Sequence, residues 1–290
     1  MPRQDKLISA ATLALVLLGL AGCGSDTPHP NAPKPRVVSF SPAITRMMFD
    51  IGLGDHVVGV TRYCQLPEGQ SRTVVGDAQD VQAETVLFVE PDVLLIQQKP
   101  DRFQAVRQAR PRVKIEEFRI ETLDDIAHAV TRLGDITGRA ELANNARLEF
   151  RNKISKAQTM TVGVQKPRVA FLLGMERPAS PGRGTFLDEM IRAAAGVNVM
   201  AQKYEGWQSV SLTDLVRLKA DVIVCQARED QRQQAVERWE AFLDVAGNPK
   251  RRVVVVTERD WTIPSVHLAD RTLELARLLH PQLAGGAARQ

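Results

Sequence analysis

The chain reads as an α/β protein of two lobes with parallel sheets, joined by one long α-helix. Three observations carry this reading. Short β-branched runs recur, and several (VLLI, VIVC, VVVV) are apolar on both faces, as parallel strands covered by helices on either side require. Helical patterns alternate with these runs, which is the sequence mark of successive βα units. Midway, residues 122–158 carry helical periodicity with no strand signal inside it.

Strands are expected at Arg36–Phe40, Val57–Val60, Val93–Gln97, Val113–Phe118, Arg168–Leu173, Val222–Gln226 and Arg252–Thr257. Helices are expected at Thr45–Ile51 after a Ser-Pro start, and at Ala83–Val89 before Glu90-Pro91-Asp92. Two more are expected at Phe186–Ala195, stopping at Gly196, and at His267–Leu279, stopping before Pro281. The halves echo each other. Residues 84–92 followed by Val-Leu-Leu-Ile resemble residues 213–221 followed by Val-Ile-Val-Cys, each a helix, a sharp stop and a buried strand.

In the middle segment Thr122 and Asp125 stand at capping-box spacing, and Ile126, Val130 and Leu133 share one face of a helix ending at Thr137. After Gly138, Arg139 to Gln158 reads as a longer helix with Leu142, Ala146, Phe150 and Ile154 recurring every four residues. About 20 helical residues span about 30 Å, the width of one lobe. The expected division is therefore a first lobe at 36–138, an interlobe helix at 139–160 and a second lobe at 161–290.

The first 22 residues have the layout of a secretory signal. Arg3 and Lys6 precede an apolar run from Leu7 to Leu20, too short for a stable span. Leu20-Ala21-Gly22-Cys23 resembles the lipobox of bacterial lipoproteins, which implies cleavage before Cys23 and a diacylglycerol on its sulfur. With the usual N-acyl chain added, such as palmitate, several buried tails anchor stably where one is marginal. Residues 23–35 then read as anchor and tether, rich in proline and small polar residues. The expected location is outside the cytoplasm, on a membrane surface.

Composition narrows the function. Hydrophobic residues make up 44% and charged residues 25%, as in a globular protein, and the net charge is only +4. Basic residues are dispersed without interleaved aromatics, which argues against nucleic acid as a partner. Cys64 and Cys225 lie in opposite halves and are expected as free thiols. Ser39 and Ser41 lack a Gly-x-Ser-x-Gly elbow, and Gly52-Leu-Gly54 is a helix-end turn without a phosphate-loop pattern. No catalytic residue is expected. His29, His56, His128, His267 and His280 show no clustered ligand spacing, so no metal ligands are assigned. Carriage of bare Zn or Mn, and a lipid-anchored sensor or adaptor, stay as alternatives.

Several segments together resemble the helical-backbone solute-binding proteins of ABC importers for cobalamin and ferric siderophores. They are Arg36-Val-Val-Ser-Phe-Ser-Pro-Ala-Ile-Thr45, residues 51–61, Tyr63-Cys64, Glu84 with Glu90-Pro91-Asp92-Val93, Gly196-Val-Asn-Val199, Trp207-Gln-Ser-Val-Ser211, Ala220-Asp221-Val222 and Asp260-Trp261. The resemblance implies two Rossmann-like lobes, with cargo in the crevice at the carboxyl ends of the strands. It implies capture and delivery without chemistry, by a monomer, and no cofactor beyond a cobalt or iron chelate as cargo. The partners would be an ABC permease and its ATPase. The cleft loops then hold both tyrosines, Tyr63 and Tyr204, and two of three tryptophans, Trp207 and Trp261. Tyr63, Cys64, Trp207, Trp261, Arg62 and Arg183 are the expected ligand-binding residues, aromatic faces for a macrocycle and guanidinium groups for carboxylates. Trp239, on a helical stretch, is assigned to packing. Glu84 matches the family's first docking carboxylate. Thr213 occupies the second such position, with Asp214 beside it to take its part. Arg46 stands where the family has an acid, and Ala78 near an expected tryptophan.

Overall fold

The computed structural model describes residues 34–245 and 252–283. The expected signal, Cys23 and most of the tether lie outside the described residues. The first lobe runs β1 (Val37–Ser39), α1 (Pro42–Asp50), β2 (Val57–Val60), β3 (Thr73–Val74), α2 (Ala83–Phe88), β4 (Val93–Ile96), α3 (Gln104–Ala109) and β5 (Lys114–Glu117). Two helices follow, α4 (Leu123–Thr137) and α5 (Ala140–Met160). The second lobe begins β6 (Arg168–Leu173), β7 (Ala179–Pro181), α6 (Phe186–Ala193), β8 (Val197–Asn198) and β9 (Trp207–Ser209). It ends α7 (Leu212–Leu218), β10 (Val222–Gln226), α8 (Arg232–Val245), β11 (Arg252–Val256) and α9 (Leu268–Leu279).

The first sheet has the order β3-β2-β1-β4-β5 and is parallel throughout. The second has the order β11-β10-β6-β7-β9, with β8 also on β6. The expected parallel pairing holds among β6, β8, β10 and β11, and two further short strands extend the sheet, with β7 antiparallel to both β6 and β9. These two strands have three residues each, too few to show an alternation in sequence. Each expected strand has its counterpart, trimmed by a residue or two at some ends.

Alternation sorts the strands between layers. In β4, Val93 and Leu95 face a core shared by both lobes, while Leu94 and Ile96 face an outer cluster with Val86, Phe103 and Val106 of the α2–α3 region. In β10, Val222 and Val224 face the shared core, and Ile223 and Cys225 face a second outer cluster with Leu215 and Trp239. Trp239 is fully buried there, and Cys225 is a buried free thiol beneath it. Between the two sheets lie α1, α4, α5, α6 and α9, all contributing to one continuous core.

Local signals fix that central layer. Thr122 and Asp125 form the capping box of α4, and Gly138 closes it in a left-handed conformation. A Cβ on Gly134 would meet the Cβ of Ala143 at 2.4 Å, so this glycine lets α4 and α5 cross closely. The 21 residues of α5 span roughly 32 Å. Its buried stripe is Ala143, Phe150 and Ala157, with Ala146 and Ile154 only partly covered and Leu142 exposed. The expected four-residue stripe is corrected to a seven-residue one, because α5 packs along both α4 and α9. Among the described residues no helix is long and apolar enough to cross a membrane.

Candidate ligand cleft

Both sheets change winding direction at a central strand, β1 between its parallel neighbours β2 and β4, and β6 between its parallel neighbours β10 and β8. Loops leaving the carboxyl ends on either side of such a point diverge and leave a crevice. In the second lobe Leu173, Gln226 and Val256 pair in register, so the three following loops start at one level. Beyond them lies a concavity of about 880 Å³, lined by Met175, Gln226, Arg228, Thr257, Arg259 and Thr262 among others. That is the size of a small-molecule site.

Its polar rim is partly organised in advance. Gln226 Nε2 donates to the Glu258 carbonyl at 3.0 Å, tying the end of β10 to the loop after β11. Arg228 is bound in a two-point pair to Asp230 at 2.9 and 2.8 Å. Arg259 is exposed and makes no ion pair among the described residues.

Trp261 departs from its expected place. Its ring is fully buried, 6.1 Å from that of Phe171, with Arg271 over one face and Nε1 donating to Glu258 at 3.3 Å. It supports the cleft loop from beneath instead of lining the wall. The cause is one helical turn at Arg259–Thr262, which rotates the indole towards the shared core. Trp207 does reach the surface. It lies on β9 opposite Pro181, 36% exposed, its ring 5.5 Å from Phe186. Arg183 joins it at the same corner through a backbone bridge to Glu205, with its side chain exposed.

In the first lobe Arg62, Tyr63 and Cys64 follow β2 directly. Tyr63 is 65% exposed. Cys64 is a half-buried free thiol, its Sγ 3.2 and 3.1 Å from the hydroxyls of Thr45 and Thr61. Arg62 is already engaged, 3.1 Å from Asp77 Oδ2 and 3.5 Å from Asp80 Oδ2. Asp77 sits in a turn where the amides of Asp80 and Gln79 donate to its carboxylate, and these bonds hold it below the usual carboxylate range. Gly76 makes the turn possible, with φ of 103° and the Asp80 carbonyl where a Cβ would stand. Arg62 therefore shapes this loop. Ser41 caps α1 by accepting from Ile44 N at 3.2 Å, and its hydroxyl bonds to Gln97 at the end of β4.

Of the two docking residues, Glu84 is exposed in the first turn of α2 and makes no ion pair among the described residues. Asp214 is occupied. Lys203 Nζ lies 2.6 Å away, and Tyr204 and Ser211 donate hydroxyls to it at 2.5 and 2.9 Å. Lys203 first, then the two hydroxyls, hold its carboxyl down at about 2. Asp214 is thus engaged within its own lobe, and the Tyr204 hydroxyl is spent on the same cluster.

Thr257 enters this lining from the end of the expected strand Arg252–Thr257, one residue past the apolar run Val253–Val256. Among the described residues no three or more histidines, cysteines or acids gather as a metal site.

Residues 37–258 match the family model for periplasmic binding proteins. The chain belongs to that family. A vitamin B12-binding protein of Yersinia pestis (strain Pestoides F) is 25% identical over 261 residues, covering 87% of this chain and 85% of the relative. The solved periplasmic vitamin B12 binding protein BtuF of Vibrio cholerae is 22% identical with a TM-score of 0.69, covering 89% of this chain and 99% of that one. The periplasmic heme binding protein HutB of Vibrio cholerae is 18% identical with a TM-score of 0.74, covering 85% and 99%. These structures share the fold of this periplasmic binding protein. The family is one of binders, not enzymes, and Ser39 and Ser41 accordingly serve strand-end and helix-cap hydrogen bonds.

Proposed function

We propose that this periplasmic binding protein captures a metal chelate, either a corrinoid or an iron chelate such as haem or a ferric siderophore. It delivers the chelate to an ABC permease and its ATPase. The observation that carries this reading is the concavity of about 880 Å³ at the level carboxyl ends of β6, β10 and β11, rimmed by hydrogen-bond donors and by the Arg259 guanidinium, which has no ion pair among the described residues. Amide and carboxylate substituents at the edge of a macrocycle are what such a rim recognises. The vitamin B12 and heme ligands named for the relatives support the same cargo class.

Tyr63, Cys64, Trp207 and Arg183 are proposed as further contacts at the mouth, and Arg259 joins them. Glu84 is proposed as the first-lobe docking carboxylate. A diacylglyceryl thioether on Cys23 would hold this monomeric carrier beside its importer, a reading supported by Leu-Ala-Gly-Cys and the proline-rich tether.

The test is titration of residues 24–290 with cyanocobalamin, hemin and several ferric siderophores, followed by tryptophan fluorescence. Micromolar or tighter binding of one chelate, with quenching reduced in Trp207→Ala, is the expected result. Failure of the whole panel with a protein folded by circular dichroism would overturn the reading.

A further inference from the structure

Both ring nitrogens of His267 face acceptors. Nδ1 lies 3.1 Å from Asp50 Oδ2, and Nε2 lies 2.7 Å from the carbonyl oxygen of Asp260. A neutral imidazole carries one N–H and so serves only one of them, whereas the protonated ring donates from both nitrogens. The remaining escape would be a protonated Asp50 donating to the ring. Asp50 is already an acceptor elsewhere, from Ser265 Oγ at 2.7 Å and from Arg46 Nε at 2.7 Å. Burial alone would raise its carboxyl, but hydrogen bonds from His267 and Ser265 and the charge of Arg46 prevail and hold it below the usual range.

We infer that His267 is an imidazolium that bolts helix α1 of the first lobe to the cleft loop of the second. Asp50 ends α1, and His267 stands 217 positions later at the start of α9. The loop between β11 and α9 lends Thr257, Arg259 and Thr262 to the concavity. Asp260, in that same loop, is held by its carbonyl to His267 and by its carboxylate to Arg271, at 3.1 Å from both Nε and Nη2. One proton on one ring therefore joins three elements. The charged groups around the imidazole are Arg46 and Asp50 from α1, Asp260 from the loop, and Asp270 and Arg271 from α9. Lys153 of α5 reaches Asp270. The His267 and Asp50 side chains are only 13% and 17% exposed, so bulk water has little room to replace a lost bond.

The direction of the pH effect follows. With the ring protonated both bonds are made. As pH rises and the proton leaves, one nitrogen turns a lone pair towards an oxygen, and the loop loses its tie to α1. The tie through both ring nitrogens is therefore made in acid and lost on going alkaline.

The experiment is nitrogen-15 imidazole NMR of the full chain from roughly pH 5 to 9, with His267 assigned by the loss of its signals in His267→Gln. Expected are two protonated ring nitrogens at the acid end, and an Asp50→Asn titration midpoint lower than that of the wild type. The thermal midpoint of wild type should fall across this range more than that of His267→Gln. A single neutral tautomer at every pH in the wild type would overturn the bolt even if neither variant folds. So would a titration that Asp50→Asn leaves unmoved. Neither readout involves cargo, so the bolt and the binding function fail separately.

Discussion

The carboxylate of Glu189 in α6 accepts a hydrogen bond from the backbone nitrogen of Leu123 at 2.7 Å, capping the first turn of α4 from the other lobe. It satisfies a helix-terminal donor that the Thr122–Asp125 box leaves over. Replacing Glu189 with Ala should cost about 1 kcal/mol in urea unfolding, the usual worth of a cap, while Gln, which keeps an acceptor, should cost less.

Gly134→Ala sets two effects against each other. Helix propensity favours Ala by about 1 kcal/mol. The new methyl would stand 2.4 Å from the Ala143 Cβ, with the Ala140 Cα at 3.2 Å, and forcing the two backbones apart costs about 1–3 kcal/mol. The clash should win, and the melting temperature should fall. A rise would mean that the α4–α5 crossing has slack.

The two cleft-loop tryptophans should separate cleanly. Trp261→Ala empties a fully buried site and should destabilise by about 3–5 kcal/mol. Trp207→Ala loses a partly exposed ring packed on Phe186 and should cost about 1 kcal/mol, while removing most of the ligand-dependent fluorescence change. Denaturant melts and titrations on both variants check this.

Arg259→Ala should weaken a carboxylate-bearing chelate about tenfold, the equivalent of 1.4 kcal/mol, and leave a neutral corrinoid unmoved. Equal losses for both would show that the guanidinium acts on the loop and makes no contact with the ligand.

Acid should act through Asp214. Its carboxyl is depressed from 3.8 to about 2 by Lys203, Tyr204 and Ser211. The stability it contributes is therefore present above pH 3.8 and lost as pH falls towards 2. Asp214→Asn should flatten that acid limb in thermal melts and leave the neutral region little changed.

Strands β1, β2, β4, β6 and β10 were legible because they bury both faces, and α4 because its box and apolar stripe agree. Strands β7 and β9 were not, since three residues carry no period. The candidate site was legible as loops but not as side chains. Asp260-Trp261 announced a cleft loop, yet a single helical turn decided that Trp261 points inward and Thr262 outward. Asp214 read as an available charge because its neutraliser, Lys203, sits eleven residues upstream in a segment with no motif. The Asp50–His267 contact had no sequence signal, as nothing local couples residues 217 apart.

The shared layer of α1, α4, α5, α6 and α9 has a consequence for how the molecule comes apart. Each sheet lends its inner face to the same core, so neither half of the chain carries a complete set of covering helices. A cut anywhere in α5 leaves two fragments with bare apolar faces, not two smaller proteins. Calorimetry should record a single endotherm, and a protease should meet either the intact molecule or peptides. Two lobes by topology should melt as one.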